Sequence, residues 1–276
     1  MKERKRILMA LDLEGVNLVV GEPYKGLGKG SEQWEIARRQ GAREINAAAA
    51  ALFAAGAEVV ALWDNHGGSN NVDPADLDPR IDLIDCDLAK PRQYFTGDYD
   101  CILYFGYHAM EGTLGGVLAH TMSSATLQFY KWNGSYIGEV DMDAAIAASH
   151  GAPSVLFVGG NIACAQAKRA VPGILTVETK KELSRNRAEF RDNGELLAEI
   201  AEKAVEAAKL DQPLYPLTFP GEMQKSFKRV EDAALYLARL QALEIQADYL
   251  PDDIMGHDAH TVVAKVRNMD EYIKSI

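Results

Sequence analysis

Six residues pair metal-ligating or proton-carrying side chains with a recurring position in the chain. Asp12 and Glu14 sit two residues apart at the end of the apolar run ILMALDL (7–13). In a strand that spacing turns both carboxylates to one face, and Gly15 then allows a sharp turn. His66 follows a second apolar run, AEVVALW (57–63), in the string Trp63-Asp64-Asn65-His66-Gly67-Gly68. His108 follows a third, CILYF (101–105), and Glu139 follows a hairpin pattern and opens a helix. Mixed carboxylate and imidazole ligation suits zinc, and also manganese or other first-row divalent ions. Five such ligands exceed the needs of one tetrahedral ion with an open position. They match two ions, about 3.5–4 Å apart, that share a bridging carboxylate as in co-catalytic hydrolases. Asp12, deepest in its strand, is the expected bridge. His120, in the Gly-rich stretch GTLGGVLAHTM (112–122), could act as base, nucleophile or transition-state donor beside the metals.

Taken singly, these residues have plainer readings. A D-x-E pair at a strand end is commonly a turn or a cap, and a lone His there is commonly a hydrogen-bonded structural residue. Charged groups are rarely buried unpaired, so their coincidence at strand ends is the argument. His150, His257 and His260 lack that context and read as structural or exposed.

The elements that must position them follow from periodicity. Trp34, Ala37, Ile45, Ala48 and Leu52 recur at three-and-four spacing, so 31–55 reads as a long helix capped by Ser31 and stopped by Gly56. Strands are expected at 7–13, 57–63, 81–85, 101–105 and 154–160, with a hairpin at 126–138 turning on Asn133-Gly134. Helices are expected at 139–150, from 161 to about 171, and at 194–210. Strands alternating with helices imply βαβ units. The expected class is α/β, a mostly parallel sheet with helices on both faces over residues 1–211. A smaller α+β part spans 212–276, packed into the same domain or beside it, with strands at 222–227, 242–249 and 260–266 around a helix near 230–240. Ligands of such sheets gather at the carboxyl ends of the strands, where the five candidate ligands fall.

Composition narrows the partners. The chain has 276 residues, 47% of them apolar and 25% charged, with a net charge of −11. Ordinary apolar content argues against disorder, and acidity disfavours nucleic acid, which needs a basic surface. Three cysteines without a CxxC pair give neither a disulfide framework nor a thiolate zinc finger, and fit a reducing compartment. The basic start, Lys2 to Arg6, is followed by an apolar run that Asp12 and Glu14 interrupt, so no signal peptide is expected. The longest uncharged apolar stretch, Ala47 to Ala57, is too short for a bilayer. A cytoplasmic protein without membrane partners is expected. The glycine-rich segment 26–31 does not follow a strand and is not a phosphate-binding loop of the Walker type. It reads as a loop bordering the crevice. No G-x-S-x-G elbow is present.

In order, D-L-E-G (12–15), D-N-H (64–66), G-Y-H-A (106–109), A-H-T-M (119–122) and I-G-E (137–139) resemble the DppA-type zinc D-aminopeptidase family. The resemblance runs over residues 7–188 and more faintly beyond. It implies a two-zinc metallopeptidase that removes N-terminal D-amino acids from short peptides or amides. It also implies a ring-shaped homo-oligomer, a decamer, with active sites facing an inner channel. By the same resemblance Asp12, Glu14, His66, His108 and Glu139 are the metal ligands and His120 the catalytic histidine. Arg185, in a Ser-Arg pair, would bind a peptide carboxylate. The chain departs from the family pattern at Asn17-Leu18, Asp141, Asp143 and Asn161, and the His108–His120 spacing is one residue longer. No proposed ligand is lost, so the departures bear on the pocket and its substrate. The alternatives are a non-catalytic small-molecule binding protein on this scaffold, or a two-metal amidohydrolase or L-aminopeptidase.

Overall fold

Strand β1 (Arg6–Leu11) is buried on both faces: Ile7, Met9 and Leu11 enter one core layer, Leu8 and Ala10 another. That two-sided burial is the mark of a central parallel strand. In the computed structural model, which describes residues 4–86, 92 and 95–276, β1 lies between β2 (Val59–Asp64) and β4 (Cys101–Tyr107). The short β3 (Asp82–Leu83) pairs outside β2, shorter than the strand expected over 81–85. A hairpin, β5 (Leu127–Trp132) and β6 (Ser135–Ile137), follows, then β7 (Ser154–Gly159) and β8 (Leu175–Glu178). The parallel sheet has the order β3-β2-β1-β4-β7-β8. The chain thus runs outward from β1 to β3 and then crosses back to β4. The reversal opens a crevice at the carboxyl ends of β1 and β4, the usual ligand position in such sheets.

Helices cover both faces. Helix α1 (Glu32–Ala54) begins where the Ser31 hydroxyl accepts the Trp34 N–H, and Glu32 and Glu35 in its first turn suit the helix dipole. Its small residues Ala37, Ala48 and Ala49 pack on the sheet. Helices α2 (Glu139–Ser149) and α3 (Asn161–Ala170) pack on the opposite face. The hairpin of β9 (Lys180–Ser184) and β10 (Arg187–Phe190) precedes α4 (Asn193–Ala207), which joins α1.

The rest is β11 (Gly221–Phe227), α5 (Val230–Ala242), β12 (Ala247–Asp252), β13 (Gly256–Val266) and α6 (Met269–Ser275). The strand expected over 242–249 begins at Ala247, because α5 and its closing turn occupy the first half. These strands form an antiparallel sheet ordered β12-β13-β11-β5-β6, so the 126–138 hairpin is built into the same sheet as the C-terminal segment. No helix among the described residues is long and apolar enough to cross a membrane.

Candidate metal centre

The ladder of β1, β2 and β4 continues past the strand ends and sets the floor of the site. The Asp12 N–H donates to the Phe105 carbonyl, that of Gly15 to Gly106, and that of Asn65 to Leu11. Two glycines permit this contact. A Cβ at Gly15 would strike the Tyr107 carbonyl, and one at Gly106, whose φ is +68°, would strike that of Asp12. The β1 and β4 ends therefore touch backbone to backbone, bringing the Asp12–Glu14 pair beside His108.

Asp12 presents its two oxygens to two histidines. Oδ1 lies 2.9 Å from His66 Nδ1, and Oδ2 lies 3.3 Å from His108 Nε2. Glu14 Oε2 is 3.0 Å from the same His66 nitrogen, and Glu139 Oε1 is 3.5 Å from His108 Nε2. Candidate ligand atoms of Asp12, Glu14 and His66 lie within 4.8 Å of one another, as do those of His108, His120 and Glu139. The His120 ring stacks on His108, with centroids 3.9 Å apart and planes 11° apart. All six sequence candidates thus converge. Apart from the buried His108, they line a cavity of about 500 Å³ that Arg185 also borders.

The donor chemistry fits cations. His108 Nδ1 faces the Ala109 carbonyl at 3.0 Å, so that nitrogen carries the hydrogen. Nε2 is then a lone pair, buried without a hydrogen-bond partner, facing two carboxylates. Such a set needs positive charge at its centre. Without a metal, protons supply it. Burial pushes the imidazolium pKa values down, but Glu14 and Asp12 carry His66 up to about 11, and Asp12 and Glu139 hold His108 well above its ordinary value. Burial likewise raises the carboxyls, yet the imidazoles hold Asp12 well below the usual range and Glu139 at about 2.

Several further residues support this geometry; Asn71 and Lys180 carry no sequence signal, while Asp64 and Met122 lie inside the D-N-H and A-H-T-M motifs. The Asp64 carboxylate accepts the N–H groups of Asn71 and Val72, folding the loop that presents His66. Asn71 in turn donates to the His66 carbonyl at 2.8 Å. The ammonium of Lys180, 1% exposed, donates to the carbonyls of Glu14, Val16 and Val19 and ties down the turn after β1. Met122 donates its N–H to Glu139 Oε1 at 2.7 Å. The 26–28 loop lines the cavity, and the Leu27 carbonyl lies 3.4 Å from His66 Nε2.

The sequence profile of the M55 peptidases, described as D-aminopeptidase, matches residues 5–247. The chain belongs to this D-aminopeptidase family. A D-aminopeptidase of Bacillus subtilis (strain 168) is 28% identical over 218 residues, covering 78% of each chain. The solved Zn-dependent D-aminopeptidase DppA from Bacillus subtilis, described as a self-compartmentalizing protease, superposes with a TM-score of 0.83. It is 22% identical, and the match covers 98% of this chain and 94% of that one. The M55 chain is therefore an aminopeptidase on the DppA fold.

Within this M55 member the departures from the family pattern have structural partners. Asp141 accepts the Gly138 N–H at the start of α2, beside Glu139, and the Tyr215 hydroxyl. Asp143, fully buried, pairs with Arg92 and accepts the Tyr107 hydroxyl at 2.8 Å. Asn161 accepts the Glu182 N–H at 2.7 Å, while Glu182 Oε1 and Oε2 accept Val117 and Ile162 N–H groups and join α3 to the His120 segment.

Proposed function

We propose that this M55 chain is a metal-dependent aminopeptidase that removes N-terminal D-amino acids from short peptides or amides at a dinuclear zinc centre. The observation that carries the proposal is Asp12, whose two oxygens face two separate imidazole–carboxylate groups. Asp12, Glu14 and His66 would hold one ion, and Asp12, His108 and Glu139 the other. A bound zinc pair supplies Lewis acidity for the scissile carbonyl and acidifies water toward neutral pH.

The remaining chemistry belongs to the chain. His120 Nδ1 faces the Leu118 carbonyl at 2.9 Å, which assigns the hydrogen to that nitrogen. Its Nε2 is then free to take the proton of the attacking water and return it to the leaving amine. Arg185, anchored by the Ala119 carbonyl at 2.7 Å, would receive the carboxylate of a short peptide. The buried thiols of Cys101 and Cys164, in no disulfide among the described residues, support a reducing, cytoplasmic setting. The self-compartmentalizing relative supports a ring of identical subunits, which sedimentation would read as a single large species.

Metal analysis with amide hydrolysis tests the proposal. Two zinc ions per chain, and cleavage of a D-amino-acid amide that stops on chelation, are expected. A protein that is fully active with about one ion per chain contradicts the dinuclear centre.

A further inference from the structure

A hydrogen-bonded network centred on buried Tyr107 and Asp143 lies behind the candidate ligands, and Asn65, Tyr107 and Asp143 each neighbour one of them. The Asn65 side-chain amide donates to the Tyr107 hydroxyl oxygen at 3.0 Å, and that hydroxyl donates to Asp143 Oδ2 at 2.8 Å. The other Asp143 oxygen pairs with the Arg92 guanidinium. Arg92 also lies over the Trp63 ring, 5.8 Å from its centroid, and its Nη2 reaches Met122 Sδ at 2.9 Å. Asn65 precedes His66, Tyr107 precedes His108, and Asp143 lies one helical turn beyond Glu139 on α2. Met122 closes the circuit through its N–H to Glu139. Three ligand-bearing elements, the β2 loop, the β4 end and α2, are therefore joined through the Tyr107 hydroxyl and one carboxylate.

We infer that Asp143 and Tyr107 are positioning residues that hold His66, His108 and Glu139 in register for metal binding. They touch neither substrate nor ion. The inference rests on the two-metal reading above and adds residues which that reading does not use. Tyr107 contributes through one hydroxyl that both accepts and donates. Its loss breaks the link to the His66 loop and the link to α2 together. Asp143 contributes through charge as well as geometry, because Arg92 is 5% exposed and takes Asp143 as its ion-pair partner. Outer-shell partners of this kind typically govern ligand orientation, and their loss costs about 10–100-fold in metal affinity.

Zinc affinity of the full chain, measured by competition with a chromophoric chelator, tests this. Tyr107→Phe and Asp143→Asn should each weaken zinc binding by about 10–100-fold. Tyr104→Phe is the matched control. Its buried hydroxyl bonds Ser154 at 2.8 Å, next to but outside the network, and its zinc affinity should equal wild type. Asn65→Ala, at a half-buried position, should weaken binding about 10-fold and decides the matter if the two core variants do not fold. Folded variants that bind zinc as wild type does overturn the positioning role while leaving the dinuclear reading intact. Wild-type protein without zinc affinity overturns that reading and the positioning role with it.

Discussion

His108 Nε2 and Asp12 Oδ2 lie 3.3 Å apart in the interior without a hydrogen bond between them. The other ring nitrogen already faces the Ala109 carbonyl, so in the neutral ring a lone pair confronts an anion. A proton or a divalent ion between them resolves that conflict.

Asp12→Ala removes the one carboxylate that, among the described residues, faces both groups. Metal content should fall from about two ions per chain to fewer than one, and peptidase activity should fall with it. Elemental analysis of the purified variant checks this. A variant that keeps both ions shows that Asp12 is not the bridge.

His120→Ala separates proton transfer from metal binding. The expected outcome is unchanged zinc content with kcat lower by roughly 10²–10⁴-fold. Loss of one zinc equivalent would instead make His120 a ligand of the group it forms with His108 and Glu139.

The protonated state of the metal-free rings sets the pH dependence. Neighbouring carboxylates raise His66 to about 11 and His108 well above its ordinary value against the opposing effect of burial, so both carry protons at pH near 7. Zinc must displace them. Its affinity should rise with pH through the neutral range and fall in acid, with about two protons released per chain. Calorimetric titration in buffers of different ionisation enthalpy measures that release, and none at neutral pH would contradict the assignment. For the metal-free fold the sign is opposite. The raised pKa values stabilise it fully below about pH 6.5 and are lost as pH climbs toward the folded-state values.

Lys180→Met tests the turn after β1. It removes three buried hydrogen bonds to Glu14, Val16 and Val19 while keeping most of the volume. At about 1 kcal/mol each, denaturant unfolding of the metal-free protein should show a loss of roughly 2–4 kcal/mol. Zinc affinity should also drop, because Glu14 loses its anchor. Unchanged stability would mean that the three bonds contribute nothing net.

What the sequence revealed, and what it hid, follows from the range of the forces involved. The central strand and α1 were legible because their burial writes a local apolar pattern, and Ser31 caps α1 as its type predicts. Asp12, Glu14, His66 and His108 were legible because strand ends in an α/β sheet are where ligands collect. Glu139 was legible because it opens a helix after a hairpin, whereas His120 lies in a glycine-rich loop and was legible through the motif order. The union of the 126–138 hairpin with β11 was hidden, since pairing across so long a stretch of chain leaves no mark in either strand. Strands β8, β9 and β10 are short and half-exposed, with too little alternation to stand out. Helix α6 carries a local signal, Asn268 capping with Glu271 at its third position, but spans only seven residues. Nothing beside Lys180 in the sequence marks it as buried, and Asp143 stands out only as a departure from a motif. Their roles depend on partners distant in the chain.

Hydrolysis of a matched panel of D- and L-amino-acid dipeptides and amides, with and without chelator, tests the central claim most directly. Cleavage of the D-substrates that is lost on chelation and restored by zinc is the predicted result. Cleavage of L-substrates alone, or D-cleavage indifferent to chelator, would contradict it.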